Sequence, residues 1–280
     1  MNQEYKLSGK SGNIFFIGIP LGTFLAILLS IIYAYIDVYN PFVYLTLIVY
    51  IGYLYGIILI QKLVIRIAKC RNKANSFIYG ALVGVFAIYV NWSTFLYVVF
   101  QKFFGESIPL SEILLNPSVV FNFANILSVD GWYEIFGFQV NGGFLWFIWI
   151  VEILGILIAG IIGGSAVLHE EVFCENCNRW AEDIDFDLRL SITDESKIES
   201  SIKKDIGILT EIPIAKWNES PYVRVNIHHC SQCDNLSTID LDLIKRKKND
   251  KGEIEEEDED LSPVLLLKND LYKKFIQIKN

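Results

Sequence analysis

Four of the five cysteines fall into two pairs with two residues between the partners, Cys174 with Cys177 in "FCENCN" and Cys230 with Cys233 in "HHCSQCDN". That spacing turns both sulfurs of a pair toward one ion while the intervening backbone makes a turn. Two such pairs supply the four thiolates of a tetrahedral zinc site. With every coordination position taken by protein, no place remains for a reactive water, so the zinc expected here is structural. Mononuclear iron and thioredoxin-type redox chemistry are the alternatives. A redox pair occurs singly, after a strand and before a helix N-terminus that lowers one thiol pKa. Cys70 stands alone in a basic loop and is expected to be inert. His169, His228 and His229 stand near the pairs. Neighbours on a strand face opposite ways, so at most one of His228 and His229 reaches a metal. All three are expected to be surface or supporting residues.

Two polar residues interrupt long apolar runs: Asn91 in "AIYVNWSTFLY" and Glu152 in "FLWFIWIVEILGILIAGIIGG". An acid in such a place is costly unless protonated, paired or hydrated. Gly155, Ala159, Gly163 and Ala166 share a helical stripe with Glu152, as Gly80, Gly84 and Ala87 do with Asn91. Both polar groups are therefore expected on close-packing faces, with the Asn91 amide donating to the Glu152 carboxyl group. Either the pair specifies packing or it forms an ion- or proton-responsive site. No Gly-rich phosphate loop, nucleophile elbow or H-E-x-x-H motif is present, so no enzymatic constellation emerges.

The runs holding these residues are long. The chain has 280 residues, 52% of them hydrophobic, concentrated in stretches 14–36, 42–65, 77–103 and 144–168. Each exceeds the roughly 20 residues that cross a hydrocarbon core of about 30 Å. Lys6 and Lys10 precede the first stretch, and Lys62, Arg66, Lys69, Arg71 and Lys73 flank the turn between the second and third. The 105–143 connection has acids and no Lys or Arg. Basic residues mark cytoplasmic loops, so both termini are expected inside, and the Asp37 turn and the 105–143 connection outside. The first stretch lacks a small-residue cleavage site and is read as an anchor. Gly18 and Gly22, Gly52 and Gly56, Gly80 and Gly84, and Gly160 and Gly164 form one Gly-x-x-x-Gly pair per span. Such pairs let helices approach closely, in a compact bundle or a homo-oligomer. Pro20 is expected to kink the first span. In the outer connection, Asn116 before Pro117 reads as a helix cap for "PSVVFNFANILS", with Trp132 and Tyr133 at headgroup level.

Residues 169–280 carry 25 acidic and 16 basic residues, which disfavours direct nucleic-acid binding. "YVRVNIHH" and "LSTIDLDLI" alternate apolar and polar residues on either side of the second cysteine pair, as two strands around a metal knuckle should. In these two knuckles and one hairpin the segment resembles zinc-ribbon domains. The 52 residues between the pairs exceed the usual spacing of about 15 to 20. They call for an insertion: "DFDLRL" as a strand, then a helix through "ESKIESSIKKDIGIL" capped by Thr193 or Asp194. The acidic run within 249–260 reads as a solvated linker, and 261–280 as an amphipathic segment in which Leu267, Leu271 and Phe275 are spaced four apart.

The fold class expected is a membrane α-helical four-span bundle (14–168) after a cytoplasmic segment (1–13). A small cytoplasmic α+β zinc-ribbon-like domain (169–248), the linker and the C-terminal segment follow. The role expected is that of a non-enzymatic protein of a bacterial inner membrane, in contact with lipid, whose zinc domain binds a protein partner or senses a condition. The alternative is a small channel or transporter with Glu152 and Asn91 in the path and the zinc domain as gate.

Overall fold

A computed structural model describes residues 3–105, 108–135, 137–192, 198, 202, 205–233, 235–248 and 253–279. The chain divides into two compact units, one made of Gly9–Glu170 and the other of Met1–Ser8 with Glu171–Asn280.

The first unit is helical. A π-helical turn, Ile14–Gly18, leads into α1 (Ile19–Tyr39), and α2 (Val43–Ala68), α3 (Lys73–Val99) and α6 (Gly142–Glu170) complete the long helices. With the π turns at their ends, four helices of 25 to 31 residues are long and apolar enough to cross a membrane. Side chains such as Phe24, Ile48 and Phe147 are exposed along them, as lipid-facing residues are. Pro20 falls in the first turn of α1, directly after the π-helical turn Ile14–Gly18, so the helix changes type where a kink is expected.

The glycine pairs act inside the chain. A Cβ built on Gly80 would lie 2.4 Å from the Gly160 carbonyl oxygen, and one on Gly160 would lie 2.6 Å from that of Gly80. The backbones of α3 and α6 thus meet where only glycine fits. Gly52 differs, with nothing within 4 Å of its would-be Cβ.

Between α3 and α6 lie α4 (Leu110–Leu115), α5 (Pro117–Asp130) and a hairpin of β1 (Tyr133–Ile135) and β2 (Phe138–Val140). The expected helix is present with Asn116 as its N-cap residue and Pro117 in its first turn, but the Asn116 side chain makes no capping bond and instead donates to the Glu112 carbonyl. Val120, Phe123 and Leu127 of α5 are buried in one cluster with Phe95, Leu145 and Trp149. Trp132 also packs on that cluster, edge-on to Phe95 at 5.0 Å, so its ring is held within the unit.

The second unit is built on an antiparallel sheet in sequence order: β5 (Glu182–Ser191), β6 (Tyr222–His229), β7 (Ser237–Lys248) and β8 (Ile254–Leu266). A small hairpin of β3 (Phe173–Cys174) and β4 (Arg179–Trp180) precedes it. Val223, Val225 and Ile227 alternate along β6, as Ile239, Leu241 and Leu243 do along β7, and point into one apolar core. Helix α7 (Asn269–Lys279) packs on that core through Phe275, which is fully buried, so the C-terminal amphipathic segment docks on its own unit. A 3₁₀ turn, Ile206–Glu211, is capped by the Asp205 side chain, which accepts from Gly207 N. The helix expected from Thr193 or Asp194 onward falls mainly on residues outside those described.

Two expectations are corrected. The acidic run is no linker: from Ile254 onward it is strand β8, with Glu257, Glu256 and Glu255 directly opposite Lys245, Arg246 and Lys247 of β7. The segment stays exposed, and Lys247–Glu257 at 2.6 Å and Arg246–Glu256 at 2.8 Å offset the like charges along the strand. Nor is 1–13 one segment. Tyr5 N donates to Val264 O and Leu266 N to Gln3 O, which pairs the first residues with β8. Residues from Gly9 onward belong to the helical unit.

Candidate functional site

The two cysteine pairs come from two different kinds of turn in the second unit. Cys174 ends β3, and Cys177 lies in the turn to β4, which Asn178 closes with a left-handed φ of 51°. Cys230 follows β6 and accepts at its carbonyl from Cys233 N, while its own N–H donates to Leu236 O at the entry to β7. The turns bring all four sulfurs within 4.8 Å of one another, with Cys174 Sγ and Cys233 Sγ 3.6 Å apart. A tetrahedron with metal–sulfur bonds of about 2.3 Å has edges of about 3.8 Å, so the four thiols can hold one metal ion. No disulfide joins them, and all five cysteines are free thiols.

Crowded sulfurs resist ionising together. The neighbouring thiols, Cys233 foremost, push Cys177 up to about 12, and burial pushes Cys174 up. The backbone N–H of Asn235 beside Cys233 brings that thiol down to about 7. A cation among the four would reverse the first two effects, because a coordinating thiol is deprotonated outright.

The cluster rests on residues that the cysteine spacing does not announce. The Tyr5 hydroxyl donates to Phe173 O at 3.0 Å and accepts from Phe173 N at 2.9 Å, one residue before Cys174. Phe173 packs edge-on to Trp180 across the first knuckle at 5.0 Å. Contacts far away in sequence, to Phe173 and to Val264, bring Tyr5 here, and no local pattern marks it. His228 and His229 are engaged elsewhere. His228 Nε2 lies 3.1 Å from Asp240 Oδ1, and its Nδ1 contacts Asp183. His229 bonds Ser237 Oγ and stacks on Tyr272 at 4.3 Å. Burial works against charging His228, but Asp240 and Asp183 outweigh it and hold the imidazole above its usual value.

In the helical unit, Asn91 and Glu152 line one small cavity. The hydrogen bond expected between them is absent among the described residues, and Asn91 Oδ1 is buried without a partner. A third residue joins them that was expected in an outward turn: α1 runs on to Tyr39, and Asp37 lines the same cavity. The signal for it was a stripe of polar residues on α1, with Thr23, Ser30, Tyr33 and Asp37 spaced seven, three and four apart. Ser30 hydrogen-bonds Tyr53 at 2.8 Å, and the Tyr50 hydroxyl donates to the Glu152 carbonyl at 2.8 Å.

Set beside family models, curated proteins and solved structures, the chain matches none of them.

Proposed function

We propose that this is an integral protein of a bacterial inner membrane, with four spans and both termini cytoplasmic. In this reading its sheet unit is a zinc-ribbon-like domain held by structural zinc on Cys174, Cys177, Cys230 and Cys233. The role is non-enzymatic: the domain presents a metal-stiffened surface to a protein partner or senses a condition at the membrane. The observation that carries the reading is the convergence, among the described residues, of four thiols and no other ligand type, which favours zinc with every coordination position filled by protein. The side assignment is supported by the basic loop at 66–76 and the absence of Lys and Arg from 105–143. Gly80 and Gly160 face one another within the chain, so a homo-oligomer would have to use another face, such as the open one at Gly52.

The experiment is crosslinked capture from native membranes, comparing the wild-type chain with the Cys230→Ser, Cys233→Ser double variant, with zinc measured in both. A partner and one zinc per chain, both lost in the double variant, support the proposal. Stoichiometric zinc surviving in the double variant would refute the metal assignment, and identical capture by both proteins would refute the zinc-dependent partner. A second reading, a small channel or transporter, is favoured by the meeting of Glu152 and Asn91 in one cavity.

A further inference from the structure

The cavity in the helical unit has a volume of about 20 Å³. That is room for about one water or one small ion. Asp37 enters it from α1, Asn91 from α3 and Glu152 from α6. Its other walls are aromatic and include Tyr33 and Trp149, which are 6% and 2% exposed.

Two facts make this more than a pair of acids. First, Asp37 Oδ1 and Asn91 Oδ1 are buried with no hydrogen-bond partner. The Asn91 amide oxygen can only accept from a donor or bind a cation, Asp37 Oδ1 does the same when its carboxyl group is ionised, and each carries a desolvation penalty until it is satisfied. Second, none of the cavity-lining residues is basic. The neighbouring groups on α2 are Tyr50 and Tyr53, already bonded to the Glu152 carbonyl and to Ser30. Lys102 donates to the Val38 carbonyl at 2.7 Å and lies over the Tyr39 ring, and among the described residues it pairs with neither acid. Two bare carboxylates in so poor a dielectric repel each other strongly unless a positive charge joins them.

The geometry also selects the charge. All the free donors are oxygens, which suits hard cations. Calcium takes six to eight oxygen ligands, and magnesium keeps several waters, which a space for about one water cannot supply. We propose that Asp37, Glu152 and Asn91 form a site for one exchangeable monovalent cation, a proton or a sodium-sized ion, inside the bundle. The proposal rests on the reading that these helices span a membrane, and it gives the transport reading its cargo class.

The test uses the full chain in lipid nanodiscs and an apolar carbodiimide, which adds the O–H of a protonated carboxyl group across its C=N bond. Peptide masses locate the adduct. The expected result is labelling at Glu152 or Asp37 that falls about tenfold or more between about pH 6 and about pH 9. If the occupant is a proton, pH alone governs labelling. If it is a sodium-sized ion, sodium chloride but not choline chloride suppresses labelling at constant pH and raises Tm. Asp37→Asn, which keeps the shape and removes one charge, should abolish protection by sodium and displace the pH profile of Glu152 labelling, with circular dichroism confirming the fold. Labelling indifferent to both pH and sodium, or a full response retained in Asp37→Asn, would overturn the proposal. Should Asp37→Asn fail to fold, the wild-type response to pH and to sodium still decides. Zinc measured on the same preparation keeps failure here distinct from failure of the metal assignment.

Discussion

In the sheet unit, four sulfurs approach one another from two turns, and each turn brings a pair whose members are three residues apart. In the helical unit, three polar side chains approach one another from three helices, and the contributing residues are more than 50 positions apart in sequence. The sulfurs form a complete donor set for one ion. The oxygens leave acceptors facing a space. A complete donor set favours permanence, whereas unpaired acceptors around a small cavity favour exchange. Packing differs too: both units have an apolar side-chain core, but in the helical unit the backbones of α3 and α6 also meet directly at glycines.

The sharpest way to break this comparison is to empty the complete donor set. Structural zinc contributes on the order of 10 kcal/mol to small metal domains. Cys230→Ser with Cys233→Ser should therefore abolish zinc binding and unfold the knuckles, seen as loss of metal and a shift in Trp180 emission. Helical circular dichroism from the long helices should persist. A sheet unit that melts unchanged without metal would show the thiols to be dispensable.

Next in size is the apolar core. Phe275 is fully buried against the sheet. Phe275→Ala should cost about 3–5 kcal/mol of sheet-unit stability, measured by chemical denaturation. An effect under about 1 kcal/mol would mean that α7 is not integral to the core.

The helical counterpart is a clash. Gly80→Leu drives a side chain into the Gly160 backbone and should cost about 1–3 kcal/mol or more. Gly52→Leu points into open space and should leave detergent-resistant stability unchanged. Equal effects at the two glycines would refute the α3–α6 contact.

The smallest effect belongs to the charged ladder. Arg246 beside Glu256 holds its carboxyl below the usual carboxylate range. A carboxyl depressed in the folded state contributes stability that is fully present above its unfolded value of about 4.3 and is lost as pH falls through the folded one. The pair is substantially exposed, so the increment should be at most about 1 kcal/mol, and less in high salt. Melts of wild type and Glu256→Gln should differ at neutral pH and converge in acid; divergence in acid would reverse the assignment.

What could be read from sequence follows the range of the interactions. The thiol cluster was legible because each knuckle is local and leaves only one pairing of turns to guess. The four long helices were legible because an apolar run of sufficient length needs no partner to be recognised. The run at 254–260 was misread because its charge looks solvated until the cations of β7 stand opposite, and that register is non-local. Asp37 was missed for a related reason. It sits where an apolar run gives way to a turn, and the polar stripe that marks its face shows only once the helix is known to run on to Tyr39. Asn116 carried the right local signal for a helix start, yet its amide found a better acceptor one turn back.

Gln3 and Tyr5 pair with Leu266 and Val264, and Tyr5 also clasps Phe173. One folded body therefore holds the chain both before it enters the helical unit and after it leaves. On the proposed membrane reading, such a body could not straddle a bilayer, so the number of crossings between Ser8 and Glu171 would be even. The four candidate spans satisfy this parity, and three or five would break the pairing of Gln3 and Tyr5 with β8. During synthesis the earliest residues must also wait, unpaired, until β8 emerges more than 250 residues later.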